Sequence, residues 1–454
     1  RDRRRAITLL GMTVVLPGSA QLAAGNAQLG RFALRVWFGV LGAALLLGLL
    51  AFVSRTAALT VVTHRWTLAV IQVVLLALAV LWAVLLVDAW RPGRPDRLPQ
   101  RDRRRPLGAL LVPLLVLPGG AAYAGVNVGA ARAAMTSVFG TGDAAGAVDG
   151  RLNILLLGGD SGAGREGLRP DSIQLASVDA ETGGTVLFGF SRETEHITFR
   201  PGSVMAGLMP QGWTCGDECL LNGLYTWGQD HAEEFPAGTQ DPGLVATTEA
   251  VEALSGLDIQ YHGPVGREGF RGRVEAAGGL DSTVERRTPF VFQDAATGGI
   301  YAGERHLDGH DALWYARSRA NSTNYERMAR QRCVVTAMIR QLDPQTIVLN
   351  FGDIAQATKG VFQTDIPQGA LATLGELAVK TKQQKITSVN FVPPLIKPWD
   401  YDPAVVHAAV DKAIVRSEQA AVEPTAAPAA SAASGGGSSQ PSDEPKKQAV
   451  MDRP

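Results

Sequence analysis

Arginines and carboxylates gather in short segments next to hydrophobic runs. They are Gly158-Gly159-Asp160-Ser161 with Arg165 after it, Arg169-Pro170-Asp171-Ser172, and Phe190-Ser191-Arg192-Glu193. Further on come Asp308-Gly309-His310-Asp311-Ala312-Leu313, Tyr315-Ala316-Arg317-Ser318-Arg319 and Asn324-Tyr325-Glu326-Arg327-Met328-Ala329-Arg330-Gln331-Arg332. Arg327 precedes Arg330 by three residues and Gln331 by four, so one helix face can present all three. A guanidinium stays ionised and offers a planar fork of donors that matches phosphate oxygens. Several guanidiniums in one pocket repel each other unless an anion joins them. Carboxylates such as Asp160 and Asp171 can hold Mg²⁺ against the same phosphates. Phosphoryl transfer asks for little more than this positioning and charge neutralisation. A surface ion pair is enough to explain a single case such as Arg165–Glu166. It does not explain the whole set, placed at strand ends where α/β proteins build their sites.

The elements that must carry these residues are legible around them. Asn153–Gly158 reads as a short buried strand ending in glycine, and Ile173–Asp179 and Thr185–Phe190 as two more around an Asp179–Gly184 turn. Pro242–Ser255, Val265–Ala277, Tyr325–Leu342 and Gln368–Thr381 have helical patterning, and Lys385–Phe391 reads as a late strand. Strands alternating with helices give an α/β domain with helices packed on a central sheet.

In order, Leu-Leu-Leu-Gly-x-Asp, Arg-x-Asp-Ser, Ser-Arg-Glu, Asp-Gly-x-x-Ala-Leu-x-Tyr-Ala-Arg-x-Arg and Arg-x-x-Arg-Gln resemble the LytR-CpsA-Psr family, actinobacterial type, over about residues 150–345. The resemblance implies a three-layer αβα domain with a central mixed sheet. It also implies a glycopolymer ligase, a phosphotransferase that moves an anionic polymer from a polyprenyl-pyrophosphate carrier to peptidoglycan, with Mg²⁺. Carried over to this sequence, Arg192, Arg317, Arg319, Arg327 and Gln331 bind the pyrophosphate. Asp160 and Asp171 hold Mg²⁺ or position the attacking hydroxyl, and Arg169 stands close by. Catalysis is thereby expected of Asp160, Asp171 and Arg192, and apolar residues between sheet and helices would line a groove for the prenyl chain. Two positions depart from the family pattern. Ser191-Arg192-Glu193 replaces Pro-Arg-Asp, and Asn324 stands where an acidic residue is usual. An amide cannot act as a base. A non-catalytic sensor of polyprenyl phosphates is the competing class. A transcription regulator fits poorly, because no helix-turn-helix is evident.

Upstream, Val36–Val53, Trp66–Val87 and Leu107–Val128 are uncharged apolar stretches long enough to cross a bilayer, which needs about 20 residues. Ala6–Leu29 contains Pro17-Gly18, Gln21, Asn26 and Gln28 and is expected to be re-entrant or interfacial. The loop 88–106 carries Arg91, Arg94, Arg97, Arg101, Arg103, Arg104 and Arg105, which assigns it to the cytoplasmic side and the domain beyond residue 130 to the outside. A cleavable signal peptide is not expected, since further spans follow. The expected organisation begins with a cytoplasmic N-terminus over residues 1–35, a span region 36–128 and a stalk 129–150. A catalytic domain 151–345, its C-terminal extension 346–416 and a disordered Ala/Pro/Ser/Gly tail 417–454 follow.

Lys+Arg 43 against Asp+Glu 43 argues against a nucleic-acid-coating surface. Cys215, Cys219 and Cys333 allow one disulfide in an oxidising compartment, with the pairing left open. His306 and His310 flank Asp308 but lack a further ligand cluster nearby in sequence, so zinc is not expected. The glycines after Gly158 match no nucleotide-loop spacing, and no Gly-x-Ser-x-Gly element points to a serine hydrolase.

Overall fold

The computed structural model describes residues 2–24, 26–54, 57–58, 61–62, 64–91, 100–139, 144–159, 169–292, 295–320, 322–341 and 364–422. Asp160, Arg165, residues 92–99 of the basic loop 88–106, residues 346–363, and residues 423–454 of the expected tail lie outside them.

The N-terminal region is helical: α1 (Asp2–Val15), α2 (Ser19–Ala24), α3 (Ala27–Val53), α4 (Arg65–Trp90) and α5 (Gln100–Val138). Within α3, α4 and α5 the segments Ala27–Val53, Trp66–Trp90 and Leu110–Ala133 are long and apolar enough to cross a membrane. The first begins at Ala27 rather than Val36, because Asn26 caps it through a bond from Leu29 N. The segment Ala6–Leu29 is interrupted at Pro17-Gly18 as expected, with Gly18 at φ 96. Its polar Gln21 is buried and donates from Nε2 to Leu85 O of α4 at 2.8 Å, while Oε1 has no hydrogen-bond partner among the described residues.

The region that follows is built on a five-stranded mixed sheet of β1 (Arg151–Gly159), β2 (Pro170–Asp179), β3 (Thr185–Phe190), β4 (Tyr261–Gly266) and β9 (Thr387–Phe391), in the order β4-β1-β2-β3-β9. The β1–β2 and β2–β3 pairs are antiparallel, and the β1–β4 and β3–β9 pairs parallel. Parallel pairing with β1 makes Tyr261–Gly266 a strand, so the helix expected from Val265 begins only at Arg267. Two ribbons, β5 (Leu280–Val284) with β8 (Gly303–Leu307) and β6 (Thr288–Phe292) with β7 (Ala295–Ile300), carry no sequence expectation.

Around the sheet stand α6 (Val204–Leu208), α7 (Leu224–Asp230), α8 (Pro242–Ser255), α9 (Arg267–Ala276), α10 (Gly309–Arg317), α11 (Asn324–Gln341), α12 (Leu371–Gln383) and α13 (Pro403–Val422). Helix α8 shows why the boundaries are readable. Asp241 accepts from Leu244 N at 2.9 Å, Pro242 opens the first turn, and Gly256 closes the helix at φ 76. Helix α13 runs to Val422, past the boundary expected for the tail.

Strand alternation assigns the layers. Leu155, Leu157, Ile173, Leu175, Phe188 and Phe190 pack with Ala250 and Val251 of α8 and Val406 and Val410 of α13. The opposite face puts Leu152, Val178 and Tyr261 against Leu377 of α12. The result is helix, sheet and helix, the three-layer αβα arrangement expected. Truncating Leu155 or Leu157 to Ala in this core costs about 2–5 kcal/mol. A smaller core of Val274, Leu280, Leu307, Ala312, Tyr315 and Val334 joins α9, α10 and α11 to the β5–β8 ribbon, and so fixes the segments that carry Arg319 and Arg327.

Candidate active site

Antiparallel pairing brings the start of β2 beside the end of β3, with Ile173 opposite Phe190, and so sets Asp171 next to Arg192. The turn after β3 is held by its own backbone. Ser191 O accepts from Thr194 N at 3.1 Å and from Thr194 Oγ1 at 2.8 Å, while Arg192 O accepts from Asn222 N at 3.2 Å. The guanidinium that leaves this rigid turn donates from Nη1 to Asp171 Oδ1 at 2.6 Å and from Nη2 to Glu193 Oε1 at 3.4 Å.

Two more arginines reach the same residue from the turn after α10 and from α11. Arg319, half-exposed after α10, donates from Nη2 to Asp171 Oδ1 at 3.4 Å. Arg327, 3% exposed on the first turns of α11, donates from Nη2 to Asp171 O at 2.9 Å, and its Nη1 lies 3.9 Å from Oδ1. The start of α11 is set by a capping box in which Glu326 N donates to Thr323 Oγ1 at 3.2 Å and Thr323 N to Glu326 Oε2 at 2.6 Å. Asn324, the first residue of the helix, accepts from Arg327 Nη2 at 2.7 Å.

Electrostatics follow the geometry. Burial works to raise the Asp171 carboxyl, but the Arg192 hydrogen bond and the charges of Arg327, Arg192 and Arg319 outweigh it and hold it below the usual carboxylate range. Burial, and then the charge of Arg319, push Arg327 down to about 10, so it remains a cation at neutral pH. Burial, and then the charge of Glu193, raise Tyr325 on the first turn of α11. Among the described residues, Arg192 Nε, Arg327 Nε and Asn324 Nδ2 are buried with no hydrogen-bond partner. Three cations around one carboxylate, with donors to spare, suit a multivalent anion.

The sequence-predicted residues divide as follows. Asp171, Arg192, Arg319 and Arg327 come together. Arg317 ends α10, half-buried, two residues before Arg319, and Gln331 lies half-buried one turn beyond Arg327. Arg169 is exposed just ahead of β2, outside the contacts that join Asp171 to its arginines. Arg330 is a correction to the shared face. It turns inward, donating from Nε to Tyr315 O at 2.9 Å and from Nη2 to Ser318 O and Ser322 Oγ, and so anchors the turn that presents Arg319. The helical spacing holds, but three carbonyl and hydroxyl acceptors on α10 and the turn after it capture the side chain. Glu193 joins the site through Arg192 Nη2, and it already stands out in the sequence beside that arginine.

Of the cysteines, Cys215 and Cys219 form a disulfide and Cys333 is free, half-buried on α11. His306 Nδ1 pairs with Asp281 at 2.7 Å rather than with His310. Asp308, His310 and Asp311 bring ligand atoms within 4.8 Å of one another at the exposed start of α10, where Asp308 already caps the helix through Asp311 N.

The LytR_cpsA_psr family model matches residues 126–399. A probable cell wall biosynthesis protein, LcpB of Corynebacterium glutamicum, is 28% identical over 207 residues, 44% of this chain and 44% of that protein. The polyisoprenyl-teichoic acid–peptidoglycan teichoic acid transferase TagU of Oceanobacillus iheyensis is 28% identical over 227 residues, 49% of this chain and 61% of that protein. The chain thus spans less than two thirds of either relative. Among solved structures, TagV of B. subtilis aligns with a TM-score of 0.43 at 19% identity, over 59% of this chain and 97% of that one. The family protein YwtF (TagT) with bound octaprenyl pyrophosphate lipid aligns with a TM-score of 0.38 at 15% identity, over 58% and 88%. With the family model matched across the sheet, the arginine turn and the start of α11, the chain belongs to the LytR_cpsA_psr family.

Proposed function

We propose that this protein is a membrane-anchored phosphotransferase that moves an anionic glycopolymer from a polyprenyl-pyrophosphate carrier to peptidoglycan. The observation that carries the reading is the convergence of Arg192, Arg319 and Arg327 on the single carboxylate of Asp171. Family membership and relatives named as teichoic acid transferases support the reaction class. The apolar helices near the N-terminus supply an anchor, and the arginines at positions 91–105 favour a cytoplasmic loop with the domain outside the cell. A carrier lipid would then meet the site close to the outer leaflet.

In the proposed step a peptidoglycan hydroxyl oxygen bonds to the phosphorus on the polymer side of the pyrophosphate. The bridging P–O bond breaks, and polyprenyl phosphate leaves with its electron pair. The hydroxyl proton passes to water. Asp171, held ionised by its arginines, is a weak base and takes no proton in this step. The arginines hold the pyrophosphate oxygens and stabilise the charge that grows on the leaving phosphate. Among the described residues the arginine hydrogen bonds to the Asp171 carboxylate fall on Oδ1, and carboxylate oxygens of this kind suit a hard cation. Asp171 with Asp160 is the ligand pair proposed for Mg²⁺, which when bound would neutralise phosphate charge.

The test is the full chain in lipid nanodiscs, given a polyprenyl-pyrophosphate glycan, Mg²⁺ and peptidoglycan oligomers. Glycan on the oligomers with stoichiometric release of polyprenyl phosphate is expected. Neither product under any metal condition would exclude a transferase and leave a sensor.

A further inference from the structure

We propose that Asn324 is a neutral hydrogen-bond donor of the anion site, its Nδ2 group binding a non-bridging oxygen of the pyrophosphate alongside Arg192 and Arg327. The inference rests on the pyrophosphate reading above and assigns within it a residue that would otherwise count only as a lost carboxylate.

The orientation of the amide is fixed by chemistry. A guanidinium can only donate, so the Asn324 atom 2.7 Å from Arg327 Nη2 must be the oxygen. The amide nitrogen then faces away from Arg327, and it is buried without a partner among the described residues. Its backbone cannot turn it out to water cheaply, because the Thr323–Glu326 capping box fixes the first turn of α11. Arg192 Nε and Arg327 Nε are orphaned in the same way, and both side chains contact Asp171. Buried donors are normally paired, and three unpaired ones grouped around one carboxylate call for an acceptor that completes them. Orphaned donors beside an excess of cations call for an acceptor with several anionic oxygens, which describes pyrophosphate. The neutral amide adds a hydrogen bond without adding to the repulsion among three guanidiniums.

Asn324→Asp discriminates, because it keeps the shape and the oxygen that faces Arg327 while replacing the donor with a negative oxygen. Titration calorimetry of the full chain with inorganic pyrophosphate, without metal, should show affinity falling at least tenfold. Thermal stability should hold or rise, since the new carboxylate faces Arg327. Asn324→Ala, which removes both roles, should weaken pyrophosphate binding about three- to tenfold. Repeating the Asn324→Asp titration with Mg²⁺ should not restore wild-type affinity; recovery to that affinity or above it would mark the position as a metal-ligand site and overturn the donor assignment. Unchanged pyrophosphate affinity in either variant would overturn it as well. If the wild-type chain itself fails to bind inorganic pyrophosphate, the pyrophosphate reading falls first, which separates the two failures.

Discussion

The two ends of strand β2 use the same chemistry for opposite purposes. At its end, Asp179 lies 3.8 Å from Arg151, a side chain only 4% exposed. Arg151 also donates from Nε to Ser177 Oγ at 2.8 Å and from Nη2 to Ser177 O at 3.0 Å and Gly184 O at 3.2 Å, and it reaches Glu418 of α13 at 3.4 Å. One cation there has acceptors on every side. Burial lowers its pKa, while Asp179 and Glu418 work to restore it. At the start of the strand one carboxylate meets three guanidiniums, and buried N–H groups go unbonded. A saturated arginine is a structural staple that locks β2, the turn to β3 and α13 together. An unsaturated set is a site, and the excess of donors over acceptors tells the two apart better than burial does.

Breaking the site end should have the largest effect. Arg192→Ala removes the 2.6 Å bond to Asp171 and one donor to the proposed anion. Transfer activity is expected to fall about 10²–10³-fold, the usual loss for one preorganised donor. Thermal stability should barely change, because relief of repulsion with Arg319 and Arg327 offsets the lost ion pair. A drop in melting temperature that accounts for the activity loss would mean Arg192 is a staple like Arg151.

The opposite end should respond the other way round. Arg151→Ala leaves Ser177 O and Gly184 O without their donor and two carboxylates without their cation. Stability should fall by about 3 kcal/mol, measured by denaturant unfolding of the domain, while pyrophosphate affinity of the folded fraction stays as in wild type. Arg330→Ala sharpens the comparison, since it combines both behaviours. Its contacts to Tyr315 O and Ser318 O are structural, yet they hold the turn that carries Arg319. Both stability and affinity should decline.

How much of this is legible in the sequence differs from residue to residue. Strands β1, β2 and β3 and helices α8 and α11 announce themselves, because buried runs, a proline start and a glycine stop are local signals. Asp171, Arg192, Arg319 and Arg327 stand out as a set because they recur in an ordered motif. Their convergence on one oxygen depends on β2–β3 register and on the packing of α11, which are long-range. Arg330 sits in a different environment from the one expected, because helical spacing fixes a face but not which acceptors stand opposite it. Arg151 is silent in the sequence, since a lone arginine at a strand start looks like any surface charge until the β2–β3 turn and α13 close over it. The ribbons β5–β8 and β6–β7 escape notice because their strands are short, a proline sits in β6, and glycines in β7 and β8 leave no clear alternation.

The subtlest test concerns the charge balance itself. Because the folded-state pKa of Asp171 lies below its ordinary value, its stabilising contribution is complete above the unfolded pKa of about 3.9 and is lost as pH falls through the folded value. Asp171→Asn removes that dependence and leaves three arginines facing a neutral amide. At neutral pH the variant should be less stable than wild type, and the two melting curves should converge as pH drops below about 4. Solvent reaches a 40% exposed carboxylate and screens it, so the gap should be modest and should narrow further in high salt. Added inorganic pyrophosphate should stabilise the variant more than it does wild type, because the anion restores the negative charge that the arginines require. Parallel pH profiles with no added response to pyrophosphate would show that Asp171 is not what balances the cluster, and the contrast between the two ends of β2 would then reduce to burial alone.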